Sequence, residues 1–587
     1  MILQALFQYY QRSLDEPDSM IAPRGMQHKE IPNVIVLSPE GEFVNLLILR
    51  GENGSARKFY VPRERVRSGT KSYEFPNALW DHVGFVLGYS KDDPENAKKQ
   101  HASFKKLLEN LIEGQADVPA SVKAVRKFLK KGDYQKVFAS PNWEKAIQRV
   151  GNFSFQIQGE QELVCQNPWV LSRFQTLCKE KDVRQQICLV SGLLDTPVRT
   201  HNKIKQVWGN PQRDRSLVSF NDDAFCSYGK KQSYNSPIGS NAEFAYTTAL
   251  NTLLAKGSRQ RMQVGDASTV FWAKEKHPIE QEILNLFADQ GKDSGKDNTE
   301  AVRSLISSVK TGVYPPEDDL PFYMLGLSPN AARIAVRFWY EGTVKDFKQK
   351  VCDHFLDIEI EHGPKEFEYL SLSNLLKSTA IDNDRDKIQP NLAGEFMQSI
   401  LKGTPYPRSL LPAVLRRIKA EQAKKSPDGR VYQNVTYPRA SLIKGILARN
   451  ARFYLQKEKE VGVSLDRENI NIGYRLGRLF AVLERVQQAA LGDINATIRD
   501  RFYGAASTNP VTVFPRLMKL KNYYLPKIES KGRVVNLEKE ISEILAEVVS
   551  FPAHLSLEDQ GRFAIGYYHE RNDFFKKHDK KEGGEEE

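Results

Sequence analysis

The densest cluster of side chains able to do chemistry lies at 219–237, in the stretch SFNDDAFCSYGKKQSYNSP. That chemistry is recognition rather than bond-making. Lys230 and Lys231 can neutralise phosphates, Asn221, Gln232, Ser233 and Asn235 can hydrogen-bond base edges, and Phe225, Tyr228 and Tyr234 can stack on bases. Gly229 and Gly239 allow close backbone approach. The same composition would also suit a surface loop leading into a helix whose core face is Phe244, Ala245, Thr248 and Leu253.

A second candidate is the segment 401–460, with 14 Lys and Arg against four acids, Glu421, Asp428, Glu458 and Glu460. Arg416 shares a helical face with Lys419, and Arg449 with Arg452 and Gln456, while Tyr432, Tyr437, Phe453 and Tyr454 are interleaved. So few local acids leave most of this charge for a polyanion's backbone, unless acids elsewhere in the fold pair with it. Residues 201–276 carry 11 cations against six acids. Arg259 and Arg261 lie there and are assigned to nucleic-acid backbone. The chain's net charge of +12 is therefore local, as a binding surface requires.

Catalysis has less support. Gly229-Lys230-Lys231 is no phosphate-binding loop, because Ala224 stands where the first glycine belongs and no Ser or Thr follows Lys230. No His-Glu-x-x-His occurs, and the ten histidines are scattered. Asp222, Asp223 and Asp266 could hold Mg²⁺ if they converged, which keeps a metal-dependent nucleic-acid hydrolase as the alternative; adjacent acids beside a helical run more often cap turns. Neither a catalytic set, a metal site nor a cofactor is assigned.

The elements that must position these groups change character along the chain. A helix is expected at 2–12, then a hairpin in 33–50 turning at Pro39-Glu40-Gly41. Helical stripes follow in 98–150, through Phe104, Leu107, Leu108 and Leu111 and then Val122, Val125, Phe128 and Leu129. Further strand-like runs stand at 153–159 and 187–192. From about 345 helices dominate. Leu476, Leu479, Phe480, Leu483, Val486 and Ala490 form one stripe ending at Gly492, and Leu537, Ile541, Ile544, Leu545 and Val548 form another. Asn509 before Pro510 and Ser556 with Asp559 read as helix starts. The fold class is thus an α+β N-terminal domain followed by a mainly α-helical part ending in a bundle. Expected boundaries are 1–345, a basic helical connection at 346–462, a bundle at 463–577 and a disordered tail at 578–587. At 587 residues the chain exceeds one core. Hydrophobic residues at 40% and charged at 27% speak against wholesale disorder. Five cysteines without a Cys-x-x-Cys pair suit a reducing cytoplasm, and no apolar run reaches membrane-spanning length.

Ordered motifs give a resemblance. FPNALWDHVGFVLG (75–88), CLVSGLLDTPVRTHNKIKQVWG (188–209), the 219–254 stretch, GDASTVFWA (265–273), FYMLGLSPNAARIAVRFW (322–339), YRLGRLFAVLERVQ (474–487), YGAASTNPVTVFPRLM (503–518) and FAIGYYHERNDFF (563–575) run from end to end. Together they resemble the large-subunit family of the type I-C CRISPR surveillance complex (Cascade). The resemblance implies a non-catalytic protein that holds the end of a guide CRISPR RNA among backbone subunits and a guide-processing subunit. It would read a protospacer-adjacent motif in double-stranded target DNA, help open the R-loop and dock a helicase-nuclease. On that basis 219–237 is assigned as the motif reader, with Lys71 and Asn77 in reserve. The resemblance further implies small subunits made by internal translation. With Met397 and Met518 badly placed, a non-AUG start near Val463 is expected.

Overall fold

In a computed structural model, the described residues are 1–576 without 17, 18, 20, 52–55, 66, 68, 69, 150, 179–184, 210–214, 221, 288–294, 313, 331, 332, 390, 426–432, 456–460, 493 and 495. The expected tail at 578–587 lies outside them. The chain divides into two compact units, the first essentially Leu3–Ile204 with Ser216–Thr252, the second Lys205–Arg215 with Leu253–Glu587.

The first unit is built on a mixed four-stranded sheet of β1 (Asn33–Leu37), β2 (Phe43–Ile48), β3 (Trp80–His82) and β4 (Asn152–Ile157) in the order β2-β1-β4-β3. The β1–β2 hairpin forms where the turn residues predict, with Asn33 opposite Ile48. Gly41 turns it at φ +89°, and a side chain there would meet the Ala124 carbonyl. β1 is buried along its whole length because β4 pairs with it in parallel on its other side, and such central strands read as continuous apolar runs. Two helices, α1 (Pro94–Ile112) and α2 (Ala120–Lys131), carry Phe104, Leu108, Leu111, Val122, Val125 and Phe128 into one core with Phe153 and Phe155 of β4. A third, α3 (Ser240–Leu253), follows the polar loop.

The run at 187–192 is not the strand its apolar content suggests. Only Gln186–Ile187 pairs, with Leu194–Asp195. Cys188 and Val190 turn inward against Ile238 and Ala242, and Gly192 reverses the chain at φ +72°.

The second unit opens with an antiparallel sheet of β5 (Arg261–Val264), β6 (Ala267–Ala273), β7 (Pro321–Asn330) and β8 (Arg333–Thr343). Thr343 and Asp346 form a capping box that starts α4 (Val344–Ile358) directly at the end of β8, satisfying exposed N–H donors of the first turn. Then come α5 (Leu410–Ala420), α6 (Tyr437–Tyr454), α7 (Ile472–Leu491), α8 (Pro510–Tyr524), α9 (Lys531–Leu545) and α10 (Leu557–Asp573). The sheet and these helices share one continuous core, from Val264 and Phe271 through Phe355 and Leu415 to Phe480 and Phe563. Within the bundle α7 and α10 approach so closely that a side chain at Gly477 or Gly566 would strike the partner backbone. Between them Arg478 Nε donates to Glu570 at 2.7 Å and the Tyr567 hydroxyl to Glu484 at 2.6 Å. Ser556 caps α10 by accepting the Asp559 N–H. Asn509 precedes α8 but spends its amide on the Ala553 carbonyl instead. Among the described residues no helix is long and apolar enough to cross a membrane.

Candidate nucleic-acid interface

In the first unit the loop before α3 is fixed at its base and open at its tip. The Leu189 N–H donates to the Pro237 carbonyl at 3.0 Å, Val198 N–H to Ile238 at 3.1 Å and Ser233 N–H to Arg199 at 3.3 Å. Asp195 accepts from the Asn241 N–H at 2.9 Å and the Ser240 hydroxyl at 3.2 Å, holding the start of α3. Deeper in, Arg63 stacks on Phe244 and lies 3.6 Å from Glu243, and burial draws its guanidinium pKa down.

Above that base, Ser227 to Lys230 make a tight turn closed by the Lys230 N–H on the Ser227 carbonyl at 3.0 Å. Tyr228 at φ +51° and Gly229 at φ +68° are two consecutive left-handed residues, the signature of a type I′ turn. The turn is clamped by Asn235, whose Oδ1 accepts the Ser227 N–H and whose Nδ2 donates to the Lys230 and Gln232 carbonyls, each at 2.9 Å. The Asn235 amide is therefore spent inside the loop, and Ser233 is buried. What the clamp presents is Tyr228, 97% exposed, with exposed Lys230 and Lys231 beside it and Gln232 half-exposed. Neither lysine has a carboxylate partner among the described residues. Asn221 lies outside the described residues. Arg199, exposed on the neighbouring segment, and the apolar tip of Ile187, Leu189, Leu193 and Leu194, also exposed, border the same loop. Sequence reasoning passed over both; the signal available was an arginine and a leucine pair inside a short Gly- and Pro-punctuated run.

The reserve pair separates. Lys71 is exposed at the start of a single 3₁₀ turn, whereas Asn77 is buried, its Oδ1 accepting the Arg65 N–H at 3.1 Å and its own N–H donating to Asp81 at 3.0 Å. Arg67 pairs with that same Asp81 and stacks on Phe85.

In the second unit Arg259 is exposed, while Arg261 donates to the Leu254 carbonyl at 2.8 Å and the Gln206 carbonyl at 3.0 Å. The basic segment 401–460 is partly turned inward. Arg449 is buried, with Nε on Asp357 at 2.9 Å and Nη1 on the Ser399 and Thr404 carbonyls. Arg452 reaches the same Asp357 from the surface. Lys419 donates to Gln560 at 2.7 Å, and burial lowers its pKa. Arg439 and Lys444 are also buried, on Glu421 and on the Leu356 and Asp357 carbonyls. Arg416 remains exposed without a carboxylate partner among the described residues. Tyr432 and Gln456 lie outside the described residues. Asp357, distant in sequence, and Glu421 within the segment thus take up part of the charge, leaving less unpaired surface charge than composition suggests.

Two of the three acids that could have held a metal are otherwise engaged, while Asp223 is exposed beside the first of them. Asp222 caps a 3₁₀ turn through the Ala224 N–H at 3.1 Å, and Asp266 pairs with Arg337 at 2.6 Å. Among the described residues no group of three or more His, Cys, Asp or Glu side chains could hold a metal ion. All five cysteines are free thiols.

The sequence model of a family described as CRISPR-associated protein (Cas_Csd1) matches residues 6–575. No curated protein matches the chain.

Proposed function

The chain belongs to the CRISPR-associated protein family Cas_Csd1, and from that membership we propose that it is the non-catalytic large subunit of a type I-C surveillance complex acting in the cytoplasm. Its task in this reading is to recognise the protospacer-adjacent motif in double-stranded DNA, help open the duplex into an R-loop and dock the helicase-nuclease. Guide RNA, backbone subunits and the guide-processing subunit are its partners, and its own C-terminal bundle supplies small subunits. The observation that carries the reading is the clamped turn at 227–230, which holds an almost fully exposed tyrosine beside two lysines that have no carboxylate partner among the described residues. Lysines attract the phosphate backbone, a clamped turn limits their freedom, and Lys231 and Gln232 beside it are the side chains we assign to base edges. Asn221 stays in the contact set; Asn235 acts by holding the turn, and Ser233 is buried, its N–H on the Arg199 carbonyl at the base of the loop.

Assembling backbone subunits and guide RNA with and without the chain tests this reading. Tight binding of guide-matched duplex is expected to require both the chain and the correct adjacent motif, and labelled DNA is expected to stay intact in Mg²⁺ or Mn²⁺. Motif-dependent binding without the chain, or cleavage that disappears in Asp222→Ala, would overturn it.

A further inference from the structure

The second unit contains a cavity of about 450 Å³ lined by Trp208, Gly257, Ser258, Arg261, Met262 and Arg385 among others, a size within the ~300–1,000 Å³ of ordinary ligand sites. Trp208 is its outstanding feature, a tryptophan left 56% exposed. Its backbone is nevertheless tied to β5 and β6. The Trp208 N–H donates at 2.8 Å to Ser268, a buried residue of β6. Two residues earlier the Gln206 carbonyl accepts from Arg261 at 3.0 Å, and one residue later Gly209 turns at φ +82°. The indole is thus held out from an ordered segment, so little ordering remains to be done when a flat partner arrives.

The cavity's charge selects the partner. Arg261 makes its hydrogen bonds to neutral carbonyls and has no carboxylate partner among the described residues. Burial draws its pKa down, the mark of a cation whose charge the fold has not balanced. Lys256 and Arg259 stand exposed on the same loop, and no acid occurs from Leu253 to Gly265. An aromatic platform beside uncompensated cations is how proteins hold single strands, because every base offers a π face and every nucleotide a phosphate.

We propose that this cavity takes one unstacked nucleobase of a single nucleic-acid strand, the ring lying on the Trp208 indole and the adjoining phosphates facing Arg261, Lys256 and Arg259. The site belongs to the second unit alone and does not depend on which element reads the adjacent motif in duplex DNA.

The test uses the full-length chain and a labelled oligothymidylate, with a fully abasic strand of equal length as control. Trp208→Ala is expected to weaken oligothymidylate binding about ten-fold, the order of one base–aromatic stack, while leaving the abasic strand's affinity unchanged. Trp208→Phe should keep most of the affinity yet remove the share of indole fluorescence that the strand quenches in the wild type. Equal binding by wild type and Trp208→Ala, an equal loss on the abasic strand, or unchanged quenching in Trp208→Phe would each overturn the proposal. Displacement of the strand by free thymidine monophosphate at equal nucleotide concentration would overturn the assignment to a strand in favour of a mononucleotide.

Discussion

Arg416 and Arg449 look alike in the sequence, since each lies on a basic helical face with a second cation three residues on. Helical spacing reveals which side chains share a face but not whether that face is covered. Asp357, which buries the charge of Arg449, is 92 residues away, beyond any local pattern. The two arginines should therefore respond differently to substitution. Arg449→Ala leaves Asp357 paired only with Arg452 and takes the donor from the Ser399 and Thr404 carbonyls, and is expected to cost about 1–3 kcal/mol of stability, measured by denaturant unfolding. Arg416→Ala should change stability by less than about 0.5 kcal/mol yet lower the slope of log K against log salt by about 0.9, equally for every DNA sequence. A fully stable Arg449→Ala, or an unchanged salt slope in Arg416→Ala, would contradict this division. Asn235 teaches the same lesson. Its residue type announces hydrogen bonding, but only the fold reveals that its partners are the Ser227, Lys230 and Gln232 backbones.

Elements with their own punctuation were the legible ones. The hairpin at Asn33–Ile48 carries its turn residues between two β-rich runs, and the helix Ile472–Leu491 carries an apolar stripe with a terminal glycine. The β7–β8 hairpin escaped because Gly326, Pro329 and Pro321 sit within or beside its strands and read as breakers. Residues 187–192 misled in the opposite direction, since Cys188 and Val190 are buried while Ile187 and Leu189 are exposed, the alternation of a strand, yet only Gln186 and Ile187 find a partner. The bundle raises a further expectation. Val463 stands just before the lead-in to α7, its carbonyl accepting the Glu361 N–H at 2.9 Å. A product starting there would keep the close α7–α10 pair but lose the contacts of α10 with α5 and α6, including Lys419–Gln560 and the Asn450–Glu558 bond at 3.2 Å. Intact mass spectrometry of the complex purified from the native gene is expected to show a fragment beginning within a few residues of Val463. That fragment should vanish when the codon is changed synonymously. Full-length chain alone, or a fragment starting inside 474–487, would rule out the internal start.

For the whole molecule, a change in element type and a division in packing turn out to be separate things. Strands give way to helices near Thr343, but that residue is the cap joining β8 to α4, and one core continues across the junction. Compactness instead separates the chain around 204–253, a boundary that depends on contacts distant in sequence and leaves no compositional mark. Net charge and the ordered motifs pointed to nucleic acid, and the proposed reader is the turn at 227–230 with Lys231 and Gln232 beside it. The most direct test measures binding of assembled complexes to guide-matched duplexes whose adjacent positions are randomised, comparing wild type with Tyr228→Ala, Lys231→Ala and Gln232→Ala. Loss of a base contact is expected to narrow the gap between preferred and disfavoured motifs by about 1–3 kcal/mol, with little change in affinity for disfavoured ones. Motif discrimination equal to wild type in all three variants would contradict the assignment of this loop as the reader.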